Sequence, residues 1–193
     1  RDALDQRLID WVVQAGFVPV PVPNSLVDIA SSNNSQLILV NWINRMKINA
    51  VLLSGGNNIG DVEHRDLTEK CLLSWAEKNR KPVLGICRGM QMMGFYAGGE
   101  LIEVDGHVRV RHQLQVKSSY VKLLPKSVNS YHNLALKYCP DTFQILAESE
   151  HGNKEAMKHK ELPWEGWMWH PEREKQFDEI NQERFIMLVN SGK

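Results

Sequence analysis

An α/β domain with a mainly parallel central sheet flanked by helices is the fold this sequence predicts, and three observations predict it. Short apolar runs at 49–53 and 82–86 alternate with segments of helical period through the first hundred residues, as in a sheet built by crossover connections. Each run is almost wholly apolar and stops at glycine or a Ser-Gly-Gly turn, the pattern of a strand buried on both faces and opening into a loop. The third observation is size: 193 residues at 42% apolar content fill one substantial core, so a single domain over 1–193 is expected.

In chain order, Leu4, Leu8, Trp11 and Val12 recur at helical spacing and stop at Gly16. Residues 17–23 then turn extended. Pro19, Pro21 and Pro23 cannot donate to a ladder, so this run is expected as a strand at a sheet margin. Residues 31–35 form a polar connector, 37–46 a second helix, and 49–53 a buried strand ending at Ser54-Gly55-Gly56. Asp66-Leu67-Thr68-Glu69 has the spacing of a capping box, with Leu67, Cys71, Leu72 and Trp75 on one face of the helix it opens. A further strand follows at 82–86. Beyond residue 100 the pattern is less regular, with β-like pieces at 108–116, 143–148 and 166–169 and a helix at about 177–189. No repeat and no domain boundary is evident.

Charge narrows the partners. Twenty-three basic and 23 acidic residues cancel, so no global field draws the chain to nucleic acid or to a membrane surface. No run approaches the roughly 18 apolar residues of a membrane helix, and no charged-then-apolar leader stands at the start of the sequence. Cys71, Cys87 and Cys139 show none of the close pairings of a zinc site or a disulfide framework. A soluble protein of the reducing cytoplasm is expected.

The chemistry concentrates at Gly85-Ile86-Cys87-Arg88-Gly89-Met90-Gln91, where a strand ends, one reactive side chain stands between glycines, and a helix begins. Glycines two positions either side of Cys87 remove Cβ atoms where strand and helix pass closely, and tolerate the strained backbone that pushes the sulfur outward. At a helix N-terminus the sulfur also feels the positive end of the macrodipole, which favours thiolate. A base is offered by Trp169-His170-Pro171-Glu172. Pro171 biases His170 toward an extended conformation, so His170 and Glu172 project to one side; Glu172 then holds one imidazole nitrogen and leaves the other for Cys87. Cys71 and Cys139 lack activating neighbours.

Three blocks, Leu53-Ser54-Gly55-Gly56, the segment around Cys87, and Trp169-His170-Pro171-Glu172, resemble in order and spacing those of the class I glutamine amidotransferases. Ala97-Gly98-Gly99-Glu100-Leu101 and Val128-Asn129-Ser130-Tyr131-His132 are most similar to the γ-glutamyl hydrolase-like branch, which includes the γ-glutamyl-γ-aminobutyrate hydrolases. The chain departs from that branch at Asn133, where a second His is usual, and at residues 57–60, which intervene before Asp61. The resemblance implies a flavodoxin-like fold in which Cys87 is the nucleophile, His170 the base and Glu172 the orienting acid. It implies an oxyanion hole from the backbone N–H groups of Gly56 and Arg88, and contacts to the glutamyl group from Gln91, Asn129, Ser130 and Tyr131. No cofactor or metal is needed.

His107, Arg109 and Arg111 alternate with Val108 and Val110, so a strand there presents three cations on one face, suited to a phosphate-bearing leaving group or simply to solvent; His112 falls on the opposite face. The leading expectation is a hydrolase that cleaves glutamine or another small-molecule γ-glutamyl amide through a Cys thioester. The alternatives are a glutaminase delivering ammonia to a separate synthetase chain, and a hydrolase of a γ-glutamyl nucleotide or phosphoramidate. A silent binding module would require a broken triad.

Overall fold

The computed structural model describes residues 2–27, 32–117, 119 and 122–192, the side chains of 32–36 excepted. Helix α1 (Gln6–Gln14) starts after Asp5, whose carboxylate accepts from the Arg7 N–H, and buries Leu8, Trp11 and Val12. It ends before Gly16, at φ +86. The expected margin strand does not form: residues 17–23 are coil leading to a 3₁₀ turn at Asn24–Leu26. Pro19, Pro21 and Pro23 delete three N–H donors along one edge, and the remaining one, on Phe17, is turned back to the Val12 carbonyl, which leaves that edge unable to pair.

Helix α2 (Ser32–Arg45) begins inside the stretch expected as a connector, whose first residue, Ser31, lies outside the described residues. Strand β1 (Val51–Leu53), helix α3 (Glu63–Lys78), strand β2 (Val83–Ile86) and helix α4 (Arg88–Tyr96) follow in the expected alternation. The capping box is not realised. Helix α3 starts at Glu63, and Asp66 and Glu69 are buried within it, held by ion pairs to Arg88 rather than by the helix end.

The second half is richer in strands than the sequence suggests. It contains β3 (Leu101–Glu103), β4 (Val108–Gln113), β5 (Gln115–Val116), β6 (Ser127–Tyr131), β7 (Leu134–Leu136), β8 (Phe143–Glu148), β9 (Lys154–His159) and β10 (Trp164–Trp167), then a 3₁₀ turn at Pro171–Arg173 and helix α5 (Glu179–Asn190). The main sheet runs β1-β2-β10-β9-β8-β5, with β3-β7 and β4-β6 as separate two-stranded ribbons. Strand β2 is parallel to both β1 and β10, whereas β10-β9-β8-β5 are antiparallel, so the sheet is mixed and its parallel part is confined to three strands.

Alternation along these strands sorts the core into two layers. Val51, Leu53, Val83, Trp164 and Met168 face α2, α3 and the methionines of α4. Leu84, Ile86, Trp167 and Trp169 face α1 and α5, where Trp11 stacks on Phe185 at 4.7 Å. No helix among the described residues is long and apolar enough to cross a membrane. The register Leu53↔Gly85↔Gly166 aligns the carboxyl ends of β1, β2 and β10, so Ser54-Gly55-Gly56, Cys87 and His170 all emerge at one edge. In open α/β sheets that edge is where ligands bind.

Candidate active site

Cys87 sits between β2 and α4 with φ +51 and ψ −106, backbone that a side chain adopts only under strain. It is held there from both sides: its N–H donates to Trp167 O at 2.7 Å and its carbonyl accepts from the Gln91 N–H at 3.1 Å. The flanking glycines allow the turn. A Cβ on Gly85 would lie 2.6 Å from the Gly89 carbonyl carbon, and one on Gly89 would collide with the Leu53 carbonyl oxygen. Strand, elbow and helix therefore close on one another only without side chains at these two positions.

The sulfur is less open than the elbow pattern suggests. Cys87 is 6% exposed, and burial pushes its thiol up to about 11, against the pull of the adjacent Arg88 N–H and of the Arg173 charge. The helix terminus alone does not deliver a thiolate at neutral pH, so attack at this sulfur needs a base.

The His170 imidazole is held with one ring nitrogen on a carboxylate. His170 Nδ1 lies 2.6 Å from Glu172 Oε1, both side chains being buried. A carboxylate accepts, so Nδ1 carries the proton and Nε2 presents its lone pair. Asn129 on β6 fixes the backbone beneath the ring: its Oδ1 accepts from the His170 N–H at 2.9 Å, and its Nδ2 donates to His170 O at 2.8 Å and to Glu174 Oε1 at 2.8 Å. Tyr131 meets the ring edge-on at 5.7 Å, with Arg173 over the tyrosine at 4.7 Å. Behind the turn, Arg7 of α1 donates from Nε to Glu172 O at 2.9 Å. The opposite side of the ring rests on Gly55, where a Cβ would collide with Cε1.

The Ser54–Asn57 loop is tied down by Arg65 of α3. Its guanidinium donates to Ser54 O at 2.8 Å, Gly55 O at 3.0 Å and Asn57 Oδ1 at 3.3 Å, and its Nε donates to Glu69 Oε1 at 2.8 Å. Glu69 and Asp66 in turn grip the guanidinium of Arg88, which is 1% exposed. Asp66 also accepts from the Gly60 N–H at 2.7 Å. One ionic chain thus joins the two segments that carry Gly56 and Arg88. Sequence reading missed it, although the i, i+4 pair Arg65–Glu69 was visible as a signal. Gly56 has φ +152, and a Cβ there would strike the Arg65 guanidinium.

The other expected contacts are placed differently. Gln91 is buried and donates from Nε2 to Leu134 O at 2.9 Å, tying α4 to β7. Both amide hydrogens of Asn129 are taken up within the protein, and the buried Ser130 hydroxyl donates to His107 O at 2.7 Å. Of these four only Tyr131 reaches the surface. The basic row does not assemble either. A bulge between Val108 and Val110, with Arg109 at φ +57, breaks the alternation of β4. His107 is buried, Arg109 is exposed, and Arg111 pairs with Glu174 at 2.5 Å.

A mixed α/β sheet delivers a strained cysteine and a carboxylate-oriented histidine to one edge of the molecule. The family model "Glutamine amidotransferase class-I" matches residues 10–184, and the chain belongs to that family. It is 32% identical over 139 residues to a γ-glutamyl-CDP-amidate hydrolase of Campylobacter jejuni, covering 69% of this chain and 66% of that protein. It is 35% identical over 134 residues to the glutamine-hydrolyzing GMP synthase subunit of Pyrococcus furiosus, covering 67% of this chain and 69% of that one. In three dimensions it superposes on a Thermoplasma acidophilum crystal structure assigned to a GMP synthase subunit, with TM-score 0.73, 21% identity, and coverage of 96% of this chain and 87% of the other.

Proposed function

We propose that the protein hydrolyses the side-chain amide of glutamine or of a γ-glutamyl conjugate, with Cys87 as nucleophile, His170 as general acid and base, and Glu172 as its orienting partner. The observation that carries this reading is the positive-φ backbone of Cys87 at the end of a parallel strand, a strain kept at a cysteine that emerges at the same sheet edge as a buried His–Glu pair.

The steps follow from the chemistry. His170 Nε2 takes the Cys87 proton as sulfur bonds to the amide carbon, and the carbonyl oxygen becomes an oxyanion. The backbone N–H groups of Gly56 and Arg88 receive it, a contact worth about 3–4 kcal/mol of barrier per donor. The C–N bond breaks as the imidazolium protonates the leaving nitrogen, leaving a γ-glutamyl thioester. Water attacks the thioester, giving its proton to His170; the C–S bond breaks, the thiol is restored and glutamate leaves. Glu172 stabilises each imidazolium without being protonated.

The similarity to a γ-glutamyl-CDP-amidate hydrolase supports an amide whose nitrogen bears a phosphorylated group as one substrate class, and the similarity to a glutamine-hydrolyzing GMP synthase subunit supports delivery of ammonia to a separate synthetase chain. Intact mass after treatment with diazo-oxo-norleucine, followed by turnover of glutamine, γ-glutamyl amines and a γ-glutamyl phosphoramidate, tests these. One adduct on Cys87, absent in Cys87→Ser, together with turnover by the isolated chain, is the expected result. Labelling without turnover would favour the partner-dependent glutaminase, and no labelling would refute the nucleophile.

A further inference from the structure

Beside the elbow lies a second cluster that the hydrolytic reaction does not use. Glu155 on β9 is fully buried, and neither carboxylate oxygen has a hydrogen-bond partner among the described residues. Three imidazoles converge on its Oε1: His107 through Nδ1 at 3.5 Å, His112 through Nε2 at 3.6 Å, and His132 through Nε2 at 3.6 Å. The donor atoms of His107, His132 and Glu155 lie within 4.8 Å of one another. The bulge at Arg109 makes this possible, because it turns His107 and His112 to the same side although they are five residues apart.

Tautomers decide what the cluster is for. His132 Nδ1 lies 3.1 Å from Leu134 O, and His112 Nδ1 lies 3.1 Å from Gln113 O. Carbonyl oxygens only accept, so each Nδ1 bears the proton and each Nε2 points a lone pair at the Glu155 carboxyl group. Both Nε2 atoms are buried and without a hydrogen-bond partner. Lone pairs converging in a dry interior are repulsive unless a cation stands between them. An imidazolium proton would draw nitrogen and oxygen to a hydrogen-bond distance of roughly 2.8 Å, well inside the observed separations. A tetrahedral ion with bonds of about 2.0–2.1 Å instead sets its ligands roughly 3.4 Å apart, close to the 3.5 and 3.6 Å that separate His107 Nδ1 and His132 Nε2 from Glu155 Oε1. His132 also has the outer partner such a site needs, the Leu134 carbonyl on Nδ1; at His107 the Asn153 side-chain amide lies 3.0 Å from Nε2 with its nitrogen toward the ring, and fills that role once turned to present its oxygen.

We propose that His107, His132 and Glu155 bind one divalent first-row transition-metal ion of the zinc type, with His112 at the margin of the site. Imidazole and carboxylate suit such ions, and three protein ligands leave the fourth position of a tetrahedron to water. The ion would pin the β4–β6 ribbon to β9. Since β6 carries Asn129 and Tyr131, which set His170, metal and triad are coupled through backbone rather than through chemistry.

The test uses the full chain stripped with a chelator and titrated with Zn²⁺ and separately with Co²⁺, read by metal content, by the unfolding midpoint and by the Co²⁺ ligand-field spectrum. One ion per chain, a raised midpoint and a tetrahedral Co²⁺ spectrum are expected, all retained in Cys87→Ser. Affinity should fall at least about tenfold in the isosteric Glu155→Gln and in His132→Gln, with circular dichroism of each metal-free variant checking that the fold is kept. Absence of stoichiometric metal, indifference to both substitutions, or loss of binding in Cys87→Ser would overturn the proposal.

Discussion

Removing the side chain of Asn129 tests whether the base is positioned from beneath. Asn129→Ala deletes two hydrogen bonds to the backbone of His170, at 2.9 and 2.8 Å, and a third to Glu174 at 2.8 Å. His170 is 2% exposed, so water does not readily replace them. Leaving a buried N–H and a buried carbonyl unpaired costs on the order of 1–3 kcal/mol each, and about 3 kcal/mol for the substitution is expected in urea unfolding. The larger effect falls on turnover. A shift of about 1 Å in the imidazole is enough to cost ~100-fold in kcat, whereas KM should change little because neither amide hydrogen of Asn129 is available to a substrate. Steady-state kinetics on glutamine, with the His170 Nδ1 proton followed by NMR, reads both. A stability loss of the expected size with kcat within twofold of the parent would refute the clamp, and a rise in KM alone would return Asn129 to the substrate-contact role its sequence context suggests.

Three further outcomes follow from the site. Cys87→Gly should be more stable than Cys87→Ala by about 1 kcal/mol in chemical denaturation, because only glycine is relaxed at φ +51; the reverse order would deny the strain. The buried thiol holds its proton more tightly than an unfolded cysteine, so its contribution to stability is present below pH 9, the unfolded value, and is lost as pH rises through about 11. The parent should therefore lose up to ~3 kcal/mol more than Cys87→Ser across that window, and parallel curves would refute the burial. Gly55→Ala should lower kcat by about 100-fold with the fold retained by circular dichroism, since the new methyl group displaces His170 Cε1; unchanged kcat would mean the ring has room to move.

What the sequence disclosed depended on whether a signal was local. The strand at 82–86, the elbow glycines and the His-Pro-Glu turn were legible because each needs only its own neighbours: glycine where backbones touch, proline to extend histidine. Strands β6, β7 and β9 were not. Lys154–His159 reads as a charged segment, and only the tertiary neighbours of Glu155 show that this carboxylate points inward. The proline run, expected at a sheet margin because its donors are missing, stays coil, since nothing local says whether a neighbouring strand reaches it. The parity of β4 was misread for a related reason: one residue at positive φ, Arg109, moves every later side chain to the other face, and nothing in its identity announces it. Asp66 and Glu69 carried the spacing of a cap, yet the cation that claims them stands in another element.

That cation explains why Arg88 carries a side chain at all when the proposed reaction asks only for its N–H. A buried guanidinium is costly to desolvate, and exchanging an ion network for apolar packing is often neutral or stabilising, so stability alone is a weak reason for it. Geometry is a better one. The two N–H groups proposed to receive the oxyanion sit on separate segments, Gly56 after β1 and Arg88 at the start of α4, and strand pairing alone does not fix their separation beyond the sheet edge. Arg65 holds the first segment through Ser54 and Gly55 carbonyls, Arg88 is itself the second, and both end on Glu69. Two opposed arginines sharing one carboxylate set the distance between the donors before any substrate arrives, which is the preorganisation that makes an oxyanion hole effective.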